Sequence, residues 1–251
     1  MIEIKNIHKS FGSHKVINDV SFVFEQGKTN LIIGESGSGK TTILKLMVGL
    51  HEVDNGEILY NGENFPTLDL KGKQEIRKKI GMLFQGSALF DSMTVEENVI
   101  FPLSLFSEMS DSEKRDRAQF CLNRVNLPNA GNLYPAEISG GMKKRVGIAR
   151  AIAMNPKYLF CDEPNSGLDP RTSIVIDELI QEITIEYNIT TIVVTHDMNS
   201  VMEIGDNIIF IYKGEKYWEG NKDSIIHSDN EELNNFVYAS KFMRRYKELE
   251  N

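Results

Sequence analysis

The sequence predicts an α/β fold: an open, largely parallel sheet with a helical lobe inserted in its middle. Three observations lead there. Compact apolar runs of strand length recur at 29–33, 158–162 and 189–195, with helical patterns between them. From Gln85 to about Ile138 the pattern is helical and strands stop, which marks an insertion. The N-terminal residues instead alternate apolar and polar side chains, as half-buried strands do. No internal repeat interrupts this order.

Local signals justify each element in turn. Ile2 to Ile4, then Val20 to Phe24, are short alternating strands. After Gly27 come the apolar strand 29–33, a glycine-rich turn and a helix through about Val48. Asn61-Gly62 between strand-like residues signals a hairpin over 56–64. Ser110 to Glu113 is a capping box opening a helix from Asp111 to about Val125, ended before Pro128. Asp169 and Pro170 form an N-cap with Pro at the first helical position. That helix runs to about Tyr187, with Ile176, Leu179, Ile180 and Ile183 at helical spacing. Asn207 to Tyr212 and Lys216 to Trp218 close a hairpin around Lys213-Gly214, and the polar tail from about Asp223 to Asn251 is helical.

Composition removes several classes of function. Hydrophobic residues at 41% and charged residues at 25% match a folded chain and exclude a disordered or low-complexity one. A net charge of −8 offers no broad basic face, so nucleic acid is not an expected partner. The two cysteines, Cys121 and Cys161, lack CxxC and Cys/His spacing, and are expected to be reduced core thiols. The start MIEIKNIHKSFG has no signal-peptide core, and the longest apolar run, 208–212, is far below the roughly 18 residues of a membrane span. Any action at a membrane therefore requires another chain to hold this one there.

The strongest chemical signal is Gly34-Glu35-Ser36-Gly37-Ser38-Gly39-Lys40-Thr41, which fits GxxxxGKS/T between a buried strand and a helix. Glycines let successive N–H groups face inward around an anion, and the helix start adds unpaired N–H groups and a positive dipole end. Lys40 puts a point charge on β- and γ-phosphates, and the Thr41 hydroxyl can ligate Mg²⁺. At the end of 158–162, Asp162 would be costly without a cationic partner, which Mg²⁺ held by Thr41 supplies. Glu163, turned the other way, can accept a proton from an attacking water.

Ser139-Gly140-Gly141-Met142, followed by a helix through Ala153, makes a second anion site from a Ser N-cap and a fresh helix start. With the phosphate loop before it and Asp162-Glu163 after, this segment resembles the signature motif of ATP-binding cassette (ABC) ATPases. The resemblance runs from Ile2 to about Gly220. It implies a P-loop NTPase ABC cassette with a mostly parallel core sheet, an N-terminal antiparallel β subdomain and an inserted α-helical subdomain. The ATP-binding domain would cover 1–222, with the helical subdomain at about 86–156 in a RecA-like core, and 223–251 would be a C-terminal helical extension.

The resemblance also assigns residues. Phe11 matches the aromatic that stacks on adenine, and 34–42, including Thr42, matches the nucleotide cradle. Gln85 matches the glutamine that touches Mg²⁺ and the attacking water, and His196 the histidine that contacts the γ-phosphate. Ser166 to Asp169 matches the loop lining the dimer seam. Met142 departs from the commoner Gln, but Ser139 and the backbone amides carry the phosphate contacts, so activity is expected to survive. His8, His14, His51 and His227 receive no role.

Such cassettes work as head-to-tail dimers in which each ATP lies between one subunit's phosphate loop and the other's signature segment. One copy of each motif implies a homodimer, bound through an integral membrane permease to the cytoplasmic face of the inner membrane. The segment 83–103 with Gly140-Gly141-Met142 is similar to Mla-type (MCE-associated) phospholipid transport ATPases, which implies a diderm envelope and an MCE-domain substrate-binding protein. The alternative is another ABC system: amino-acid uptake, lipoprotein release or cell division. Residues 235–246 form either an amphipathic helix against a neighbouring subunit or one packed on its own domain.

Overall fold

The computed structural model describes residues 1–239 of the 251-residue chain. It begins with strands β1 (Ile2–Phe11), β2 (His14–Phe24) and β3 (Thr29–Ile33), helix α1 (Lys40–Met47), strands β4 (Asn55–Tyr60) and β5 (Glu63–Asn64), helix α2 (Leu70–Arg77) and strand β6 (Ile80–Leu83). The helices α3 (Val95–Phe106), α4 (Asp111–Arg124) and α5 (Gly140–Ile152) follow without an intervening strand. The chain then alternates through β7 (Tyr158–Asp162), α6 (Pro170–Glu186), β8 (Thr190–Thr195) and α7 (Met198–Ile204). It closes with β9 (Asn207–Tyr212), β10 (Glu215–Gly220), α8 (Lys222–Ile225) and α9 (Glu231–Val237).

Two sheets result. The antiparallel one has the order β2-β1-β4-β5, and the other the order β10-β9-β3-β8-β7-β6. All pairings in the second sheet are parallel except the β9–β10 hairpin at its edge. Every residue of β3, β7 and β8 is buried, because both faces of this sheet are covered. The strand period of two sorts their side chains: Ile32, Phe160, Ile192 and Val194 face α1 and the antiparallel sheet. Leu31, Leu159, Cys161 and Val193 face the other way, into a core shared with α3, α5 and α6.

The α/β class, the parallel sheet, the antiparallel N-terminal sheet and the inserted helices agree with the expectation. The first two strands do not match its lengths: they run 10 and 11 residues. Register shifts break their alternation, and Asn6 and Asp19, both at positive φ, join side chains across the bulge at 2.8 Å. α2 and β6 carry weak signals, since α2 buries only Ile76 and β6 is four residues long. The tail begins as two short helices, and residues 240–246 of the expected amphipathic helix lie outside the described residues. Cys121 and Cys161 are free and buried, and burial pushes both thiols up, Cys121 to about 11. Among the described residues no helix is long and apolar enough to cross a membrane.

One carboxylate is turned into this core. Asp177 on α6 is 3% exposed, and burial lifts its pKa from 3.8 to about 6. The polar groups of Ser200 and Asn165 beside it pull it down, while Asp197 and Glu203 add repulsion. Between those two values the folded state binds more protons than the unfolded one, so stability falls as pH rises through that window. Asp177→Asn is expected to raise Tm at about pH 7.5, with the gain shrinking as pH is lowered towards about 5. A Tm difference independent of pH would contradict the raised pKa.

Candidate functional site

The loop between β3 and α1 owes its path to glycine. Gly34, Gly37 and Gly39 have φ of 148, 82 and 107°. Gly34 has no room for a side chain, since a Cβ there would lie 2.2 Å from the Ile211 carbonyl oxygen. Gly39 is the N-cap of α1 and brings no side-chain cap, so the first-turn N–H groups face the loop's hollow without an internal acceptor. The Ser38 hydroxyl is buried beside Gly34, with no hydrogen-bond partner among the described residues. Lys40, only 6% exposed, donates from Nζ to the carbonyls of Gly34 and Glu35 at 2.8 Å each. Burial lowers its pKa, and the nearby Glu163, Asp162 and Glu35 work against that. The hollow thus combines main-chain donors with a partly desolvated ammonium, the chemistry that receives a polyphosphate.

The acidic side comes from the ends of β7 and β8. Parallel pairing of Asp162 with Val194 and of Ile33 with Thr195 brings three strand ends to one edge. Asp162 Oδ1 accepts a 3.0 Å hydrogen bond from the Thr41 hydroxyl, joining α1 to β7. Glu163 turns back in the left-handed region, φ 49°, with its N–H donating to Val194 O at 2.9 Å. Its Oε1 lies 2.8 Å from His196 Nδ1, and the imidazole is the more exposed partner. Gln85 Nε2 donates to Ser166 Oγ at 3.3 Å. Glu35, Ser36, Glu163, Ser166 and His196 line a cleft of about 930 Å³ that α9 also borders through Asn235 and Phe236.

The signature segment is built separately. Ser139 is the N-cap of α5 and accepts from Met142 N at 3.3 Å. Gly141 is needed for packing, because a Cβ there would fall 2.5 Å from Thr172 Cγ2 on α6. Met142 packs against the larger core. Among the described residues no hydrogen bond joins 139–142 to the phosphate loop 34–42. Asp169 caps α6, accepting from Arg171 N and Thr172 N at 3.1 Å each, and the Thr172 hydroxyl holds its carboxyl below the usual range. Phe11, 46% exposed at the end of β1, meets His51 edge-on at 5.2 Å and lies 5.4 Å beneath Lys9 Nζ.

Two groups escaped the sequence reading. Lys144 is 4% exposed and donates to the main-chain carbonyls of Gln85 and Glu163. Arg150 donates to the carbonyls of Ser87 and Ala88, both residues at positive φ. A signal existed for Lys144: it stands on one helical stripe with Gly141, Ile148 and Ala151, where charge is unexpected. His51, given no role by its sequence context, is also drawn in as the neighbour of Phe11.

The ABC transporter family model matches residues 17–166. The chain is 36% identical to the probable ribonucleotide transport ATP-binding protein Mkl of Mycobacterium leprae, over 94% of this chain and 68% of that one. It is 37% identical to the methionine import ATP-binding protein MetN 1 of Pseudomonas fluorescens, over 96% and 73%. The dimeric, post-hydrolysis cassette MJ0796 bound to ADP and Pi superimposes with a TM-score of 0.80 at 34% identity, over 88% of this chain and 99% of that one. CbiO1 of Clostridium perfringens gives 0.84 at 26% identity, over 99% and 98%.

Crowding at the phosphate loop yields a comparison of two variants. Gly34→Ala brings a steric overlap with Ile211 O as well as a strained φ, whereas Gly37→Ala has nothing within 4 Å and brings strain alone. Gly37→Ala is expected to lose about 1–3 kcal/mol and Gly34→Ala more, measured by chemical denaturation. Equal stabilities would show that Ile211 does not limit the loop.

Proposed function

The chain belongs to the ABC transporter family and hydrolyses ATP, and from that premise we propose that two copies pair head-to-tail and power a separate membrane permease. The observation carrying this reading is the meeting of the Thr41–Asp162 contact and the Glu163–His196 pair at the mouth of the 34–42 loop. One region binds phosphate and the other handles water. Because 139–142 makes no bond to its own loop, a second copy is the natural source of the signature segment across each nucleotide.

In this mechanism the amides of 34–42 and Lys40 hold the β- and γ-phosphates. Phe11 offers its exposed face to adenine, with Lys9 and His51 fixing the ring. The donor set at Thr41 and Asp162 is all oxygen, with one buried carboxylate, and fits Mg²⁺ bound jointly with phosphates; Gln85 completes it. When bound, that ion neutralises charge building on the phosphate oxygens. Glu163 accepts the proton of the attacking water, and His196 Nδ1 holds that carboxylate's other contact while the ring meets the γ-phosphate. Asp169, fixed as a helix cap, shapes the loop that faces the second subunit. ATP favours the closed pair, and hydrolysis removes that preference.

The coupling surface is an apolar groove of about 410 Å³ between β6 and α3, lined by Met82, Phe84, Phe90, Phe101, Pro102 and Met154. It receives a permease segment beside the Gln85 loop, at the cytoplasmic face of the membrane. Residues 1–222 act as the ATPase domain, with the lobe at 86–156 as the moving part and 223–251 as an extension. Phospholipid is the cargo we favour, with an MCE-domain protein as a further partner, on the strength of segment 83–103 and Gly140-Gly141-Met142. The names of the relatives favour a second reading, uptake of a small solute such as methionine or a ribonucleotide.

Glu163→Gln is expected to keep ATP affinity, lose turnover by at least about 100-fold and trap a dimer seen by size-exclusion chromatography with ATP. Lys40→Ala should weaken ATP binding in calorimetry. Wild-type turnover in the first variant, or unchanged affinity in the second, would refute the respective role. For the cargo, the chain would be captured with its permease from detergent-solubilised membranes and ATPase stimulation compared for phospholipid and for methionine. Stimulation by methionine alone would exclude the lipid reading.

A further inference from the structure

A buried ammonium is expensive unless strong acceptors surround it, and carboxylates are the usual choice. Lys144 is 4% exposed on α5, yet its hydrogen bonds go to two main-chain carbonyls, those of Gln85 and Glu163. These carbonyls belong to different segments. One opens the loop from β6 into the helical lobe, and the other follows directly on the carboxylate assigned to water activation. Lys144 itself stands in the first turns of the helix that Ser139 caps. One side chain therefore touches three segments that the proposed reaction must keep in step.

Glu163 needs such support. A glutamate at φ 49° is strained and persists only where its surroundings fix it. Its N–H is held by Val194 O and its carboxylate by His196, and its carbonyl is the third anchor, shared at 3.2 Å each by the Ser166 N–H of its own turn and by Lys144, the one that reaches it from α5. Without Lys144 that carbonyl keeps only the bond of its own turn, and nothing on α5 fixes the peptide that carries the carboxylate. The far end of the Gln85 loop is already secured, because Arg150 holds the carbonyls of Ser87 and Ala88. Lys144 ties the start of that loop to the turn beyond β7 from α5, beside the direct Gln85–Ser166 contact.

We infer that Lys144 is a positioning residue: its ammonium clamps the Gln85 and Glu163 main chains together, so that movement of the helical lobe is passed to the carboxylate. This rests on the role of Glu163 proposed above. The lowered pKa that burial gives Lys144 is opposed by Cys161, Asp162 and Glu163, the acidic groups facing it from β7 and the turn beyond.

The test compares Lys144→Met and Lys144→Arg in the full chain, measuring kcat, ATP affinity and Tm, with Glu163→Gln as reference. Met keeps the aliphatic stem and removes the donor. It is expected to lower kcat about 10- to 100-fold while leaving ATP affinity within about twofold. Arg, which can still donate to both carbonyls, should recover most of the loss. Wild-type kcat in the Met variant overturns the inference. So does a kcat that merely follows Tm, with Arg no better than Met, since that describes packing alone. Should the Met variant not fold, Lys144→Gln, with a shorter donor, is expected at intermediate kcat, and wild-type kcat there is equally fatal. A Glu163→Gln variant with full turnover would instead bring down the site reading itself, and this inference with it.

Discussion

Strands β3, β7 and β8 are buried along their whole length and stop at one edge of the sheet, so charges placed at their ends have only one another or a ligand to meet. Lys40, Asp162, Glu163 and His196 all stand there. Buried ionic groups without partners are costly, and this constraint explains the local arrangement. Lys40 borrows carbonyls of its own loop, Asp162 takes the Thr41 hydroxyl, and Glu163 takes an imidazole. Each is a weaker partner than a phosphate or a divalent cation. The edge is thus chemically unsaturated, which is the physical basis for assigning nucleotide binding to it.

Much of this was legible in the residues. A carboxylate pair closing a five-residue, otherwise apolar strand and a glycine-rich turn before a helix are local patterns, and the fold brings both to the same edge. The capping box at Ser110 and the Asp169 cap also follow local rules, since a cap needs only its own first turn. Illegible elements were those whose reasons lie elsewhere in the chain. β1 and β2 lose their alternation to bulges that depend on cross-strand pairing. β6 is a strand because β7 lies beside it, and four residues hold too little pattern to say so. Lys144 looks like one more charge in a run of Lys and Arg, and its burial emerges only when α5 is laid against the Gln85 loop.

Part of the chain's backbone strain lies where the helical lobe meets the core. Ser87, Ala88 and Glu163 all occupy the left-handed region, and α5 supplies a cation to the carbonyl of each. Conformations of this sort are kept by their surroundings rather than by their own preference. A rigid-body shift of α5 therefore cannot leave these three residues unchanged. Strain stored beside a lobe boundary makes that boundary responsive to a ligand that contacts either side.

The position of β8 bears on how the molecule comes into being. It is wedged between β3 and β7, so the two strands carrying the phosphate loop and its acidic counterpart never pair directly. Thr41 and Asp162 become neighbours only after residues 190–195 have been inserted between their strands. A nascent chain still on the ribosome short of that point holds both halves of the nucleotide pocket in sequence and neither in register. The contact thus depends on a strand far along the chain from both of its partners, and a chain that stops before β8 lacks the element that sets their register.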